Sequence, residues 1–204
     1  MLNIMLTGIG GQGTVLAAKV LAQAAQSKGW QVRTAETIGM AQRGGSVVSH
    51  VRIASDGEEV FSPLIPKACA DMVIAFEPAE AARCLPYLSQ DGIVVSASTA
   101  VVPVTSSLSK KPYMGEEVIE ELLAKLKDRF IAVDEQDLLS QVGNRRTLNM
   151  MLLAVAVNTG RLPLDMQDLQ DAVAVCVKPR FVELNLGAMD KAASWYREVL
   201  LAGE

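Results

Sequence analysis

Leu2, Ile4 and Leu6 alternate with Asn3 and Met5, which predicts a short buried strand over Leu2–Leu6. A glycine turn over Thr7–Gly13 follows, then an Ala-, Leu- and Val-rich helix over Thr14–Ser27 that Lys28-Gly29 stops. Gln31–Ala35 reads as the next strand, so the opening is a βαβ unit with an expected right-handed crossover. Ser46–Ile53 is strand-like, and Asp56-Gly57 before Glu58–Phe61 is a hairpin signal that predicts an antiparallel pair. The apolar run Met72–Phe76 predicts a central strand. A helix over Pro78–Leu88 is entered through Glu77-Pro78. Ile93–Ser96 and Phe130–Val133 are further strands, and between them Val118, Leu122 and Leu126 line one face of a helix from about Gly115 to Lys127. From Gln136 strand signals fade and helical patterns dominate: Asn144–Asn158 stopped by Gly160, Asp165–Val175 with Asp165 as N-cap, and Arg180–Leu200. The pattern predicts an α/β fold: a three-layer Rossmann-like sheet, mostly parallel with an antiparallel hairpin, and a helical C-terminal third. No linker-like stretch, repeat or low-complexity tract divides it, so a single domain over residues 1–204 is expected.

Composition sharpens this picture. Half of the 204 residues are hydrophobic but only 4% are aromatic, and mean hydropathy is +0.25. Small aliphatic residues in that proportion suit helices laid on a buried parallel sheet. No apolar run reaches the roughly 18 residues of a membrane span. Met1–Leu6 lacks a basic n-region, so no signal peptide and a cytoplasmic address are expected. The net charge of −4 excludes a general nucleic-acid binder, since Lys110-Lys111 and Arg145-Arg146 are the only compact basic clusters. Cys69, Cys84 and Cys176 are scattered, which fits a reducing compartment. Three separate cysteines do not by themselves supply the four thiolates that an iron–sulfur cluster commonly takes.

Two glycine-bearing loops carry the candidate chemistry. Gly8-Ile9-Gly10-Gly11-Gln12-Gly13 is a G-x-G-x-x-G turn between a strand and a helix, the context in which helix-end amides attract a phosphate. The same glycines also suit tight strand–helix packing with no ligand. Glu36 lies 23 residues beyond Gly13, near the spacing of about 20 at which an acidic residue holds a ribose in dinucleotide-binding folds. A free-standing nicotinamide-dependent dehydrogenase and a nucleotide-binding regulatory module therefore stand as alternatives. Against the first, Tyr87, Tyr113 and Tyr196 are followed four positions on by Asp91, Glu117 and Leu200, never by lysine. His50, the only histidine, lies within a strand and reads as structural or interfacial. Gln42-Arg43-Gly44-Gly45-Ser46 can form a concave set of amides beside a fixed positive charge, or a plain turn. Arg145 and Arg146 oppose the macrodipole of the helix they begin, as a ligand-facing pair or as a solvated face. Glu116, Glu117, Glu120 and Glu121 read as a solvated helix face. No catalytic residue and no metal ligand is assigned.

Three stretches are more specific than their physics. The Gly8–Gly13 turn, Glu36–Val47 with its Ala-Gln-Arg-Gly-Gly-Ser core, and Ala70–Pro78 with Glu80–Arg83 occur in this order, followed by Gly143, Asn144 and Asn149. Together they resemble the gamma-type domain of 2-oxoacid:ferredoxin oxidoreductases, and the free-standing form is most similar to the indolepyruvate type. The resemblance implies a subunit of a complex that decarboxylates a 2-oxoacid oxidatively to an acyl-CoA and passes electrons to ferredoxin. It places thiamine diphosphate and iron–sulfur clusters on a large partner subunit, and assembly and coenzyme A binding on this chain. Carried onto this sequence, Gly8, Gly10, Gly11, Gln12 and Gly13 line an anionic-ligand turn, and Gln42, Arg43, Gly44, Gly45 and Ser46 form a second loop facing ligand or partner. The apolar composition predicts that the isolated chain self-associates or is marginally soluble.

Overall fold

Apolar residues on both faces of the first strand make it a central one. Strand β1 (Leu2–Ile9) sends Ile4 and Leu6 into one apolar layer and Met5 into the other, and all three are at most 1% exposed. The computed structural model describes residues 1–38, 45–55, 57–102 and 115–202. Within them β2 (Gln31–Ile38), β3 (Ser46–Ala54), β4 (Ala70–Ala75), β5 (Leu88–Ala97) and β6 (Phe130–Val133) join β1 in a six-stranded sheet of order β2-β3-β1-β4-β5-β6. Strands β1, β4, β5 and β6 pair in parallel, while β3 runs against both of its neighbours. Strand β2 is therefore parallel in direction to β1 but separated from it by β3.

Helices close both faces. Helix α1 (Thr14–Ser27) covers one side together with α5 (Leu148–Asn158), α6 (Met166–Cys176) and α7 (Val182–Ala202), and α2 (Pro78–Cys84) and α3 (Gly115–Leu126) cover the other. Ala17, Ala18, Ala24 and Ala25 of α1 are at most 1% exposed, which lets this helix lie close on the sheet. Leu148 through Val157 are buried without exception. A helix apolar on every side must be enclosed, and α5 is the centre of its layer. These are the three layers, the mostly parallel sheet and the helical final third that the sequence predicts.

Three local expectations need correction. The antiparallel pairing does not come from Asp56-Gly57: Asp56 lies outside the described residues, and residues 58–61 form no strand. Polar side chains of the sheet capture that stretch instead. Gln31 accepts from the Val60 amide, Arg33 reaches the Val60 carbonyl at 3.4 Å, and Arg52 donates to the carbonyls of Ser62 and Leu64 at 2.8 and 3.3 Å. With its backbone so held, the segment buries Val60 and Ile65 and lays Phe61 outward. The second correction is α4 (Glu135–Val142), which the sequence reading leaves out. Its N-cap is Asp134, whose carboxylate accepts from the amides of Gln136 and Asp137, and Gly143 closes it in the left-handed region at φ 73°. Third, the predicted helix over Asn144–Asn158 is a 3-10 turn, Arg145–Thr147, followed by α5.

His50 anchors the captured segment. Its Nδ1 accepts from the Ile65 amide at 3.2 Å, and its ring meets the Tyr87 ring edge-on at 6.3 Å between centroids. Glu80, Arg83 and Cys84 border the same small pocket. Burial pushes the imidazole below its usual 6.5. An imidazole that takes up a second proton can no longer accept from Ile65. Because the unfolded histidine has the higher pKa, its contribution to stability is full above about pH 6.5 and is lost as pH falls through the lowered folded value. Denaturant unfolding at pH 7.5 and 5.5 should show a loss of stability in the unaltered chain that is smaller in His50→Asn, which cannot titrate.

Candidate functional site

Strands β1 and β4 are parallel neighbours whose following helices go to opposite faces, α1 to one and α2 to the other. In open α/β sheets such a divergence leaves a crevice at the carboxyl ends of the strands. A single side chain manages the divergence here. The Phe76 amide donates to Thr7 at 2.8 Å and continues the ladder. The next rung would run from the Ile9 amide to the Phe76 carbonyl, but the primary amide of Gln12 is inserted into it. Its Oε1 accepts from Ile9 and its Nε2 donates to Phe76, each at 2.8 Å. Gly8 is a consequence: a Cβ there would stand 2.6 Å from Gln12 Oε1 and 3.1 Å from the Phe76 ring.

Helix α1 starts at the edge of this gap. Its N-cap, Gly13, has φ 83°, offers no side chain to the first-turn amides, and no acidic residue follows in that turn. A Cβ on Gly13 would lie 2.6 Å from the amide nitrogen of Asn149, which donates to the Gly13 carbonyl at 3.3 Å. The close approach and the positive φ both require glycine here. Asn149 belongs to α5, so the helical third of the chain is locked onto the turn. Just before it, Asn144 accepts from the Arg146 amide at 3.0 Å and shapes the short turn that carries Arg145 and Arg146. The result is a cleft of about 740 Å³ bordered by Ile9–Gly13, the segment Thr99–Val102 after β5, and Arg145, Arg146 and Asn149. Helix-end amides without a side-chain cap and two exposed guanidinium groups make one wall attractive to an anion. Ala100, Val101 and Val102 make the other wall apolar.

The pyruvate ferredoxin/flavodoxin oxidoreductase family matches residues 3–195, nearly the whole chain. The chain belongs to that family. Indolepyruvate oxidoreductase subunit IorB of Pyrococcus horikoshii is 34% identical over 97% of both chains, and that of Archaeoglobus fulgidus is 37% identical over 92% of both. Among solved structures, the gamma subunit of a keto/oxoacid ferredoxin oxidoreductase from Geobacter sulfurreducens shares the fold with a TM-score of 0.67 at 24% identity, covering 97% of this chain and 99% of its own. A 2-oxoglutarate:ferredoxin oxidoreductase from Magnetococcus marinus, determined with 2-oxoglutarate, coenzyme A and succinyl-CoA, superposes with a TM-score of 0.71 at 17% identity, over 97% of this chain but 31% of its own.

In this family member the candidate residues are distributed unevenly. Gly10, Gly11, Gln12 and Gly13 border the cleft, and Gly8 lies behind it under Phe76. The Gly10 amide donates to the Gly45 carbonyl at 2.9 Å, which brings the roots of the two glycine loops together. Ser46 donates its hydroxyl to the buried Glu80 at 2.6 Å. Gln42, Arg43 and Gly44 lie outside the described residues. Glu36 is exposed on β2, two strands from the turn, and opposes Ser49 of β3. Thr99–Val102 and Asn149 complete the cleft. Only Asn149 has a place in the sequence pattern, and no local signal marks the other four. Among the described residues no group of three or more histidines, cysteines or acids could hold a metal ion, and no helix is long and apolar enough to cross a membrane. Burial raises the Cys84 thiol above its usual range.

The inserted rung can be tested directly. Gln12→Glu keeps the shape of the side chain but sets a carboxylate oxygen against the Phe76 carbonyl. Equilibrium unfolding in urea should show it less stable by about 1–3 kcal/mol, the cost of a buried polar pair turned repulsive.

Proposed function

We propose that this chain is the small subunit of an indolepyruvate-type 2-oxoacid:ferredoxin oxidoreductase, and that its role is to complete the assembly and to bind the anionic end of coenzyme A in the cleft. The observation that carries the reading is the end-to-end match to indolepyruvate oxidoreductase subunits, which spans 97% of both chains in the Pyrococcus protein. The cleft fits the proposed ligand. Coenzyme A carries phosphates on one end of a long uncharged arm. The uncapped start of α1 with Arg145 and Arg146 suits the first, and the Ala100–Val102 wall suits the second. Bound there, coenzyme A supplies the thiol that takes up the acyl group. Gly10–Gly13 and the two arginines hold its charge, and Asn149 keeps the turn in shape.

Thiamine diphosphate and the iron–sulfur clusters belong, on this reading, to a large partner subunit, through which electrons reach ferredoxin. The same domain occurs as 37% of the longer ketoisovalerate oxidoreductase subunit VorA of Methanothermobacter marburgensis, which supports a role beside other domains. Phe61, Val175 and Leu201, exposed by 70% or more, are surface that a partner subunit or a second copy can cover. The regulatory alternative has no observation in its favour, and the nicotinamide alternative loses its acidic partner because Glu36 is two strands away.

Tagged chain drawn anaerobically from its native cells should bring down a larger subunit and a 2-oxoacid- and coenzyme A-dependent electron transfer to ferredoxin. In that complex, changing Arg145 and Arg146 together to alanine should raise KM for coenzyme A by about tenfold, as expected for lost charge-assisted contacts. Recovery of the chain alone with a bound dinucleotide would sink the proposal.

A further inference from the structure

The apolar wall of the cleft is held from behind by a buried acid. Glu135, 1% exposed, is the first residue of α4, and its carboxylate faces the backbone that leaves β5. Its Oε2 accepts from the Ser98 amide at 2.8 Å and from the Ser98 hydroxyl at 3.1 Å, and its Oε1 accepts from the Thr99 amide at 2.9 Å. The next residue of α4 adds to the grip, because Gln136 donates to the Thr99 hydroxyl at 3.2 Å. Glu77, 2% exposed at the end of β4, accepts from the Val101 amide at 3.3 Å. No lysine or arginine among the described residues forms an ion pair with Glu135; its charge is met by backbone and hydroxyl donors and by the start of its own helix.

Burying a carboxylate without a cation is costly unless its oxygens are saturated with donors. The donors here all come from one short segment, and the segment's other side borders the cleft. With three of its amides turned back into the protein, the segment leaves Val102 63% exposed at the cleft rim. An apolar side chain so displayed beside an anion-attracting turn matches a ligand that is charged at one end and uncharged along its length.

We propose that Glu135 is a positioning residue that fixes Ser98–Val102 as the rail along which the uncharged arm of such a ligand lies, its anionic end being held at Gly10–Gly13. This rests on the reading of the cleft as the coenzyme A site and adds to it which wall takes which end of the ligand. Glutamine at position 135 keeps the volume but puts an NH2 group where one oxygen stood, so a donor faces either the Thr99 amide or the Ser98 amide, which also donates to the Val133 carbonyl at 3.0 Å.

The test uses the complex recovered with the full chain, with inorganic pyrophosphate as the probe for the anionic end alone. In the unaltered enzyme pyrophosphate should compete with coenzyme A. Glu135→Gln should raise KM for coenzyme A by about tenfold, as for one lost buried hydrogen bond. It should leave kcat and the inhibition constant of pyrophosphate within about twofold, the signature of binding lost along only one stretch of the ligand. Val102→Asn, an exposed change that spares the core, should shift the same constants in the same direction. If pyrophosphate does not compete, the reading of the cleft falls and this inference with it. If it competes and neither variant moves KM for coenzyme A, the cleft reading stands and the positioning role is overturned. A parallel rise in both constants with a lowered melting temperature would make Glu135 a stabilising residue only, and overturn it too.

Discussion

Everything around the cleft follows from the need to separate a pair of hydrogen-bonded strands without orphaning their backbone groups. Buried amides and carbonyls must be paired, yet β1 and β4 have to diverge for their helices to reach opposite faces of the sheet. The amide of Gln12 spans the opening rung, donating on one side and accepting on the other. A carboxylate could not do this, because it has no proton to give Phe76, and a shorter side chain could not reach. Once Gln12 folds back on the strand end, Gly8 has no room for a side chain, and Gly13 has none against Asn149. The glycine pattern is thus set as much by protein atoms as by a ligand, and the two explanations of such a turn do not compete. The packing that demands glycine is also what leaves the first-turn amides of α1 without a cap.

Charge is sorted at this end of the sheet. Helix α2 begins at Glu77, whose side chain accepts from the Glu80 amide at 3.0 Å, and α4 begins at Asp134 with Glu135 directly behind it. Both helix starts therefore carry their own acids, and those acids also hold the loops: Glu77 holds Val101, Glu80 holds Ser46, and Glu135 holds Ser98 and Thr99. Helix α1 has neither a cap side chain nor an acid in its first turn. The protein's own carboxylates satisfy two of these three positive helix ends, Glu77 from a buried position and Asp134 from an exposed one. The third has no carboxylate of its own, and Arg145 and Arg146 border the same cleft.

Much of the fold was legible because its signals are local. The span of α1 and the start of α6 at its Asp165 cap agree with the pattern of apolar residues and caps, and the strand at Phe130–Val133 agrees to the residue. What was not legible depended on long-range capture. Asp56-Gly57 is a sound hairpin signal, but Gln31, Arg33, Arg52 and His50 offer the chain beyond it a set of side-chain partners that a ladder would not use. Helix α4 hides in a polar stretch, Glu-Gln-Asp-Leu-Leu-Ser-Gln-Val; its signals are Asp134 in front, Gly143 behind and a short apolar face of Leu138, Leu139 and Val142. Glu135 could not be found by composition, since an acid in a polar helix reads as solvated until the fold places it at 1% exposure. The Arg145-Arg146 pair was visible as an electrostatic oddity, whereas its place at the same cleft as a glycine turn more than 130 residues away was not.

The same long-range logic decides what the G-x-G-x-x-G turn can mean. In a dinucleotide-binding fold the acidic residue ends the strand beside β1, where it reaches a ribose whose phosphates lie on the turn. Here β3 occupies that place and β2 is displaced by a further strand, so Glu36 stands roughly 10 Å to the side at the usual strand spacing. Its register sets it back as well, opposite Ser49, which pairs with Leu6 rather than with the end of β1. The sequence spacing of 23 residues survives while the geometry that gives the spacing its meaning does not. A reversed strand between β1 and β2 brings Gly45 next to Gly10 instead, and the chain completes the site from its helical end with Asn149 and the two arginines. The proposed ligand is accordingly one held by its charge at Gly10–Gly13 and the two arginines, and among the described residues the ribose-clamping geometry has no counterpart in the cleft.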